Sequence, residues 1–207
     1  MLSLEDVSKE YNLRPVLESV HLALQQGVLY TLMAPNGSGK TTLLQIMAGL
    51  TRPTKGRVLW DGQPVRARHR HRIGVLLQQP MLYSDLTAAE NLRFYANLYG
   101  LSTSSRLVSD WLLRVGLTDS TDERVRNFSK GMRQRLALAR CFLHEPELLL
   151  LDEPFDGLDE QGRAILAELL TEHVAAGASV FLVTHRSEEV NMPAQQLTLR
   201  FGRVIAC

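Results

Sequence analysis

The chain has 207 residues, with 23 lysine and arginine residues against 22 aspartate and glutamate residues, a formal net charge of +1. A balance this close to neutral gives no global field that would attract nucleic acid or an anionic membrane surface, so nucleic acid is not an expected partner. Hydrophobic residues make up 45% and charged residues 22%, as in ordinary soluble globular proteins. The longest apolar stretches fall far short of the roughly 20 residues that cross a bilayer. At about 150 residues per domain, the length of the chain predicts one two-lobed domain, or one domain with a large insertion.

The opening segment and the cysteines indicate a cytosolic protein. The segment MLSLEDVSKEY carries acidic residues and has no uninterrupted apolar region, unlike a secretory signal. Cys141 and Cys207 are far apart and have no metal-ligand spacing, which predicts neither a disulfide framework nor a zinc site. We expect Cys141 to be a small buried residue and Cys207 to be incidental.

The first third of the chain reads as strands around one helix. Apolar runs of strand length occur at Leu2–Val7, Val20–Leu24, Val28–Met33, Arg57–Trp60 and Ile73–Leu77. A helix is predicted at Thr41–Ala48, ended by Gly49, because glycine takes the left-handed C′ conformation at little cost. The charge run RARHRHR, from Arg66 to Arg72, is typical of a solvated loop or sheet edge.

The middle of the chain is predicted to be helical and the last third to alternate. Thr87 and Glu90 form a capping box, and Gly100 and Gly116 each end a helix. From Ser129 onward a helix, a strand at Leu148–Leu151, a helix from about Asp159 to Gly177 and a strand at Ser179–Val183 follow one another. This alternation predicts a mainly parallel sheet in an α/β fold.

The segment APNGSGKTT lies between a predicted strand and a predicted helix, the context of a phosphate-binding loop. Small residues let backbone N–H groups close around phosphate oxygens, and the helix N-terminus adds partial positive charge. Lys40 would reach the β- and γ-phosphates, and the Thr41 hydroxyl would ligate Mg²⁺. The strict motif begins with glycine, whereas this chain has Ala34. The predicted nucleotide-binding residues of the loop are Asn36, Gly37, Ser38, Gly39, Lys40, Thr41 and Thr42.

Two carboxylates follow the apolar run Leu148–Leu151, at the end of a strand where ligands of parallel sheets bind. Asp152 fits a partner of Mg²⁺, and Glu153 fits a group that orients and polarises an attacking water. Phosphoryl transfer depends mainly on positioning and charge neutralisation, which these residues could provide together with the phosphate-binding loop.

At Phe128–Met132 the sequence FSKGM, followed by RQR and ALAR, resembles the signature motif of ABC-type ATPases. The common form of that motif is LSGGQ, from which this chain keeps Ser129 and Gly131. Further landmarks occur in the family's order. By resemblance, Tyr11 stacks on adenine, Gln78 links Mg²⁺ to the helical subdomain, Gly157-Leu158-Asp159 forms the D-loop, and His185 contacts the γ-phosphate.

The resemblance implies a P-loop NTPase core with an N-terminal antiparallel β subdomain and an inserted α-helical subdomain. The core lobe would comprise residues 1–78 and 145–207, and the helical subdomain about 79–144. ATP and Mg²⁺ would bind at a homodimer interface, where Ser129 and Gly131 of one copy complete the other copy's site. The family also implies transmembrane permease subunits as partners, and a peripheral location on the cytoplasmic face of the inner membrane.

Transport is favoured over two other roles of ABC-type ATPases. Chromosome-maintenance types separate the two halves of the site by long coiled coils, and translation types carry two ATPase halves, whereas this chain has one set of motifs and no heptad run. The short chain, the segment from Pro80 to Leu101 and the KGM form of the signature most resemble the ATP-binding subunit of the cytochrome c biogenesis heme exporter. Drug and lipid exporters contain similar stretches and remain the alternative.

Overall fold

The protein is described by a computed structural model that covers residues 1–185, 190 and 192–206. The strands are β1 Leu2–Tyr11, β2 Arg14–Ala23, β3 Leu29–Met33, β4 Lys55–Trp60, β5 Gln63–Pro64, β6 Ile73–Leu76, β7 Leu148–Asp152, β8 Ser179–Val183, β9 Gln195–Arg200 and β10 Arg203–Ala206. The α-helices are α1 Lys40–Met47, α2 Ala88–Leu98, α3 Ser105–Arg114, α4 Lys130–Phe142 and α5 Glu160–Ala175. Among the described helices, none is long and apolar enough to cross a bilayer.

A six-stranded sheet in the order β10-β9-β3-β8-β7-β6 forms the centre of the fold. Its pairings are parallel except for the antiparallel hairpin β9–β10. Val183 of β8 pairs with Leu32 of β3 on one side and with Asp152 of β7 on the other, so these three strands end at one edge of the sheet. The predicted α/β fold with a mainly parallel sheet is confirmed, and β9 and β10 were not predicted.

A second, four-stranded antiparallel sheet has the order β2-β1-β4-β5. It is the N-terminal antiparallel subdomain that the resemblance implies. Residues of β1 and β4 that face inward, among them Leu2, Leu4, Val58 and Trp60, join a core cluster with one face of the central sheet.

The central sheet is buried on both faces, which accounts for its continuous apolar runs. Leu148 and Leu150 belong to the core shared with the antiparallel sheet, while Leu149 and Leu151 belong to the core shared with the helices. Each of the four is fully buried. The uninterrupted leucine run therefore reflects two cores on opposite sides of one strand.

The predicted helix signals agree with the structure. The Thr87 hydroxyl accepts a hydrogen bond from the Glu90 N–H, and the Glu90 carboxylate accepts one from the Thr87 N–H, which completes the capping box. Gly49, Gly100 and Gly116 have φ values of 66°, 70° and 64° and follow the ends of α1, α2 and α3. Gly116 can adopt this conformation without the steric cost that a side chain would add.

The prediction of a solvated loop at the charge run is wrong in part. Residues Ala67–Arg72 form a 3₁₀ helix in which His69 is buried. The Arg72 guanidinium lies 4.6 Å from the Trp60 ring centroid and forms an ion pair with Glu147 at 2.5 Å. Trp60 of β4 and Glu147, which is far along the chain, therefore fix the position of the Arg72 side chain. Cys141 is fully buried, as predicted, and Cys207 lies outside the described residues.

Candidate active site

The predicted phosphate-binding loop connects β3 to α1. Gly37 and Gly39 have φ values of 75° and 100°. A Cβ on Gly39 would lie 2.8 Å from Val16 Cγ1, so the loop needs glycine there for space as well as for conformation. The first turn of α1 contains no acidic residue, and Gly39 provides no side-chain cap. The first N–H groups of α1 are therefore suited to bind an anion.

Lys40 is buried at the start of α1, with 6% of the residue exposed. Its Nζ donates hydrogen bonds to the Ala34 carbonyl at 3.0 Å and to Asn36 Oδ1 at 3.4 Å. It also lies 3.0 Å from His185 Nε2 and 3.6 Å from Glu153 Oε1. The loop and two residues that follow distant strands thus hold this ammonium group at the mouth of the phosphate-binding loop.

Asp152 ends β7 and faces the start of α1. The Thr41 hydroxyl donates a hydrogen bond to Asp152 Oδ2 at 2.7 Å, while Oδ1 is buried without a hydrogen-bond partner among the described residues. Burial raises the pKa of Asp152, and the hydrogen bond from Thr41 opposes that rise. A hydroxyl beside a carboxylate with one unpartnered oxygen fits Mg²⁺, which takes oxygen ligands.

Glu153 has an unusual backbone conformation directly after the strand. Its φ is 50°, in the left-handed region that non-glycine residues seldom adopt. Its N–H donates to the Val183 carbonyl at 2.9 Å, which holds the turn against β8. The Glu153 carboxylate is 2.7 Å from His185 Nε2. Strain of this kind persists where the surrounding structure fixes it and is often found at functional sites.

These residues surround a cleft of about 490 Å³. Its lining residues are Val16, Asn36, Gly37, Gly39, Lys40, Thr41, Thr42, Gln78, Glu153 and His185. A neighbouring pocket of about 340 Å³ shares Val16 and Gly37 with the cleft and also contacts Ser38. The Ser38 hydroxyl is buried and has no partner among the described residues. The structure therefore brings together most of the residues predicted from the sequence.

Tyr11, Ser129 and Gly131 line neither this cleft nor the neighbouring pocket. Tyr11 ends β1, is 45% exposed, and has Lys9 Nζ at 4.8 Å from its ring centroid. Ser129 caps α4, where its hydroxyl accepts a hydrogen bond from the Met132 N–H at 3.1 Å. A Cβ on Gly131 would lie 3.0 Å from the Gly157 carbonyl oxygen. Ser129 and Gly131 of the signature motif therefore do not line the cleft of their own chain.

Sequence reasoning missed one residue that lines the cleft. Val16 lies in β2, contacts Gly39 and borders both the cleft and the neighbouring pocket. A valine within a strand normally indicates core packing, so only the tertiary contact of β2 with the loop identifies this position.

The chain is similar to many known sequences. The family described as ABC transporter matches residues 17–156. The Nod factor export ATP-binding protein I of Cupriavidus metallidurans is 37% identical over 212 residues, covering 100% of this chain and 70% of the relative. The lantibiotic transport ATP-binding protein SrtF of Streptococcus pyogenes is 34% identical over 190 residues, covering 92% of this chain and 82% of the relative.

Solved structures share the whole fold. An ATP-binding subunit of an ABC transporter superposes with a TM-score of 0.89 at 32% identity, covering 99% of this chain and 88% of that one. A dimeric ATP-binding cassette in a post-hydrolysis state, bound to ADP and Pi, superposes with a TM-score of 0.87 at 28% identity. That match covers 99% of this chain and 96% of the other.

Proposed function

Because the chain belongs to the ABC transporter family of ATP-binding proteins, we propose that it is the ATP-hydrolysing subunit of an export complex. Two copies would enclose two Mg·ATP and drive separate transmembrane permease subunits from the cytoplasmic face of the inner membrane. In this proposal residues 1–78 and 145–207 form the core lobe, and about 79–144 form the helical subdomain that moves with the permease.

The observation that carries the proposal is the convergence of Lys40, Glu153 and His185. Their polar atoms lie within 2.7 to 3.6 Å of one another at the mouth of the phosphate-binding loop. One cation, one carboxylate and one imidazole at this place match the needs of phosphoryl transfer, where positioning and electrostatics dominate.

Each side chain has a proposed role in hydrolysis. Lys40 exchanges its contacts with the loop for the β- and γ-phosphates of ATP. Glu153 orients the attacking water and accepts its proton, and His185 contacts the γ-phosphate. Thr41, Asp152 and Gln78 would hold Mg²⁺, which neutralises phosphate charge when bound. Tyr11, half exposed at the end of β1, would stack on adenine.

The second half of each site would come from the partner copy. Ser129 and Gly131 stand at the start of α4, whose first turn has no acidic residue. The partial positive charge of that helix start favours an anion, yet Ser129 and Gly131 do not line the chain's own cleft. Contact with the γ-phosphate of a nucleotide on a second copy would satisfy this end, and the similarity to a dimeric cassette bound to ADP and Pi supports such an assembly.

The proposed cargo system is the heme exporter of cytochrome c maturation. It is supported by the segment from Pro80 to Leu101 and by the KGM form of the signature. The alternative is the ATPase subunit of an exporter for drugs, lipids or another small molecule, and the relatives named for Nod factor export and lantibiotic transport support this alternative. A deletion strain distinguishes them, because a heme exporter defect removes c-type cytochromes while b-type cytochromes remain.

The chemistry is tested by Glu153→Gln. This variant keeps the shape of the side chain but loses its charge and basicity, so hydrolysis should slow by about 10²-fold or more while Mg·ATP still binds. Because hydrolysis normally ends the ATP-bound dimer, the variant should elute as a dimer with Mg·ATP and as a monomer with ADP on size exclusion. Glu168→Gln, on the exposed face of α5, is the matched control and should behave as wild type. A Glu153→Gln chain that remains monomeric at saturating ATP would remove Glu153 from this role.

A further inference from the structure

Arg140 is a buried arginine without a carboxylate partner among the described residues. It lies in α4 and is 3% exposed. Its Nη2 donates to the Val75 carbonyl at 2.6 Å and lies 3.3 Å from Cys141 Sγ, while Nε is buried without a hydrogen-bond partner within the described ranges. No carboxylate forms an ion pair with this guanidinium in the part of the chain that the structure describes.

Such a position is unfavourable for a permanently charged group. Burying a guanidinium away from water without a counter-charge costs free energy, and an apolar side chain of similar volume often packs better. The Tyr95 ring offsets part of the cost, because its centroid lies 5.3 Å from Arg140 Cζ. The remaining free-energy cost of burial indicates that the contacts of Arg140 have a functional role at the nucleotide cleft.

Those contacts reach both sides of Gln78. Val75 lies in β6, shortly before Gln78 in the chain. On the other side, the Tyr95 hydroxyl donates a hydrogen bond to the Met81 carbonyl. Met81 has a φ of 51°, a conformation that a non-glycine residue keeps only when its surroundings hold it. Arg140 therefore holds one end of the Gln78 segment, residues 75–81, directly and the other end through Tyr95.

Arg140 also belongs to α4, the helix that Ser129 caps. An α-helix transmits displacement along its axis because its backbone hydrogen bonds keep it stiff. Displacement of the Gln78 segment would thus reach the N-terminal end of α4, and displacement of that end would reach Gln78. In the proposed dimer, Gln78 would act at the chain's own Mg·ATP, and Ser129 would contact the nucleotide bound by the partner copy.

We propose that Arg140 is a positioning residue that couples the Gln78 segment to α4, so that Gln78 and the Ser129 end of α4 move together. This inference rests on the proposed function, because it takes Gln78 and Ser129 to contact nucleotide. Arg140 itself contacts neither nucleotide nor the reacting atoms.

The test compares Arg140→Met, Arg140→Lys and Arg135→Met in ATP hydrolysis, alone and combined with Gln78→Ala. Arg135 is the matched control, because it also lies in α4 and its guanidinium donates to backbone carbonyls outside that helix. These are the carbonyls of Gly116 at 2.9 Å and Val115 at 3.2 Å, which lie away from Gln78. We expect Arg140→Met to lower kcat by about tenfold with KM changed less than about twofold. A misplaced Gln78 would reduce the stabilisation of the transition state more than the binding of ATP. Arg140→Lys should recover part of that loss, and Arg135→Met should retain wild-type kcat.

The combined variant separates coupling from general damage. If Arg140 acts through Gln78, adding Arg140→Met to Gln78→Ala should lower kcat by less than about twofold more, since the effects of coupled residues are not additive. A full further tenfold loss, or a wild-type kcat for Arg140→Met alone, would overturn the inference.

Two further variants keep the outcome decisive. Should Arg140→Met fail to fold, Tyr95→Phe retains the ring beside Arg140 and removes only the bond to the Met81 carbonyl. It should still lower kcat, and an unchanged kcat would overturn the inference. Full activity of Gln78→Ala alone would instead refute the proposed role of Gln78 and with it this coupling path, whereas loss in Gln78→Ala with additive loss in Arg140→Met refutes the coupling alone.

Discussion

Replacing Lys40 with methionine should abolish tight ATP binding without unfolding the chain. Methionine keeps an unbranched side chain in a position where the lysine side chain is 7% exposed. It removes the ammonium group that the Ala34 carbonyl, His185 Nε2 and Glu153 Oε1 share in the cleft. Phosphate oxygens would replace those partners when ATP binds, and the variant has no cation to offer them.

The size of the effect follows from those contacts. A hydrogen bond between charged groups contributes about 1.5–3 kcal/mol, and Lys40 would make such bonds with the β- and γ-phosphates. Part of this gain is offset by the loop contacts that it gives up. A net loss of about 2.7 kcal/mol corresponds to a Kd for ATP that is about 100-fold higher.

Calorimetry measures that Kd directly, and thermal unfolding gives an independent measure. At ATP equal to about 100 times the wild-type Kd, ligand stabilises the wild type by about 2.7 kcal/mol and the variant by about 0.4 kcal/mol. In a domain of this size each kcal/mol moves Tm by about 2–4 °C. ATP should therefore raise the wild-type Tm by about 5–11 °C and the variant's by about 1–2 °C.

Lys55→Met is the control, because this exposed lysine at the start of β4 lies outside the cleft and should keep the full ATP-dependent rise in Tm. A Lys40→Met chain that binds ATP within about threefold of wild type would refute the assignment of the phosphate-binding loop, since losing even one charged hydrogen bond should weaken binding by more than this.

Three other outcomes can be measured on the same protein. Ser129→Arg should abolish hydrolysis yet leave ATP affinity of the monomer unchanged in calorimetry, because in the proposed dimer Ser129 would complete the partner's site; weakened monomer binding would contradict this. Burial lowers the pKa of His144 and of His173 to about 4, below the ordinary 6.5, so the folded state binds fewer protons between these values. The free energy of unfolding should thus fall as pH drops from about 6.5 to about 4, by about 2 kcal/mol per histidine at pH ~5 in urea titrations, and His173→Gln should flatten that slope. Gly74→Ala should lower the free energy of unfolding by about 1–3 kcal/mol, because its Cβ would lie 2.6 Å from the Cys141 carbonyl oxygen; unchanged stability would show that β6 can shift.

Local chemistry explains which features could be predicted from the sequence. The phosphate-binding loop, the capping box at Thr87 and the leucine run of β7 depend on residues that are neighbours in the chain. Spacing and residue type are enough to predict that these features exist, so the strand–loop–helix context of Lys40 was predictable.

Tertiary partners explain what could not be predicted. The position of Arg72 depends on Trp60 and on Glu147, which no local pattern connects to it. The contact of His185 with Glu153 and Lys40 depends on the order of β3, β8 and β7 in the sheet. The β9–β10 hairpin was missed because its short strands lack a long apolar run, and because its place at the edge of the sheet depends on pairing with β3.

The strand order also affects how the protein can fold while it is being synthesised. The neighbours of β3 in the sheet are β8 and β9, both from beyond residue 178, although β3 itself ends at Met33. A nascent chain therefore exposes the strand that leads into the phosphate-binding loop until nearly all of the described residues have left the ribosome. Contacts between distant parts of a chain form slowly, and an unpaired apolar strand can aggregate in the meantime. Chaperone dependence during translation, with a nucleotide cleft that forms only after β8 and β9 have been synthesised, is the expected consequence of this topology.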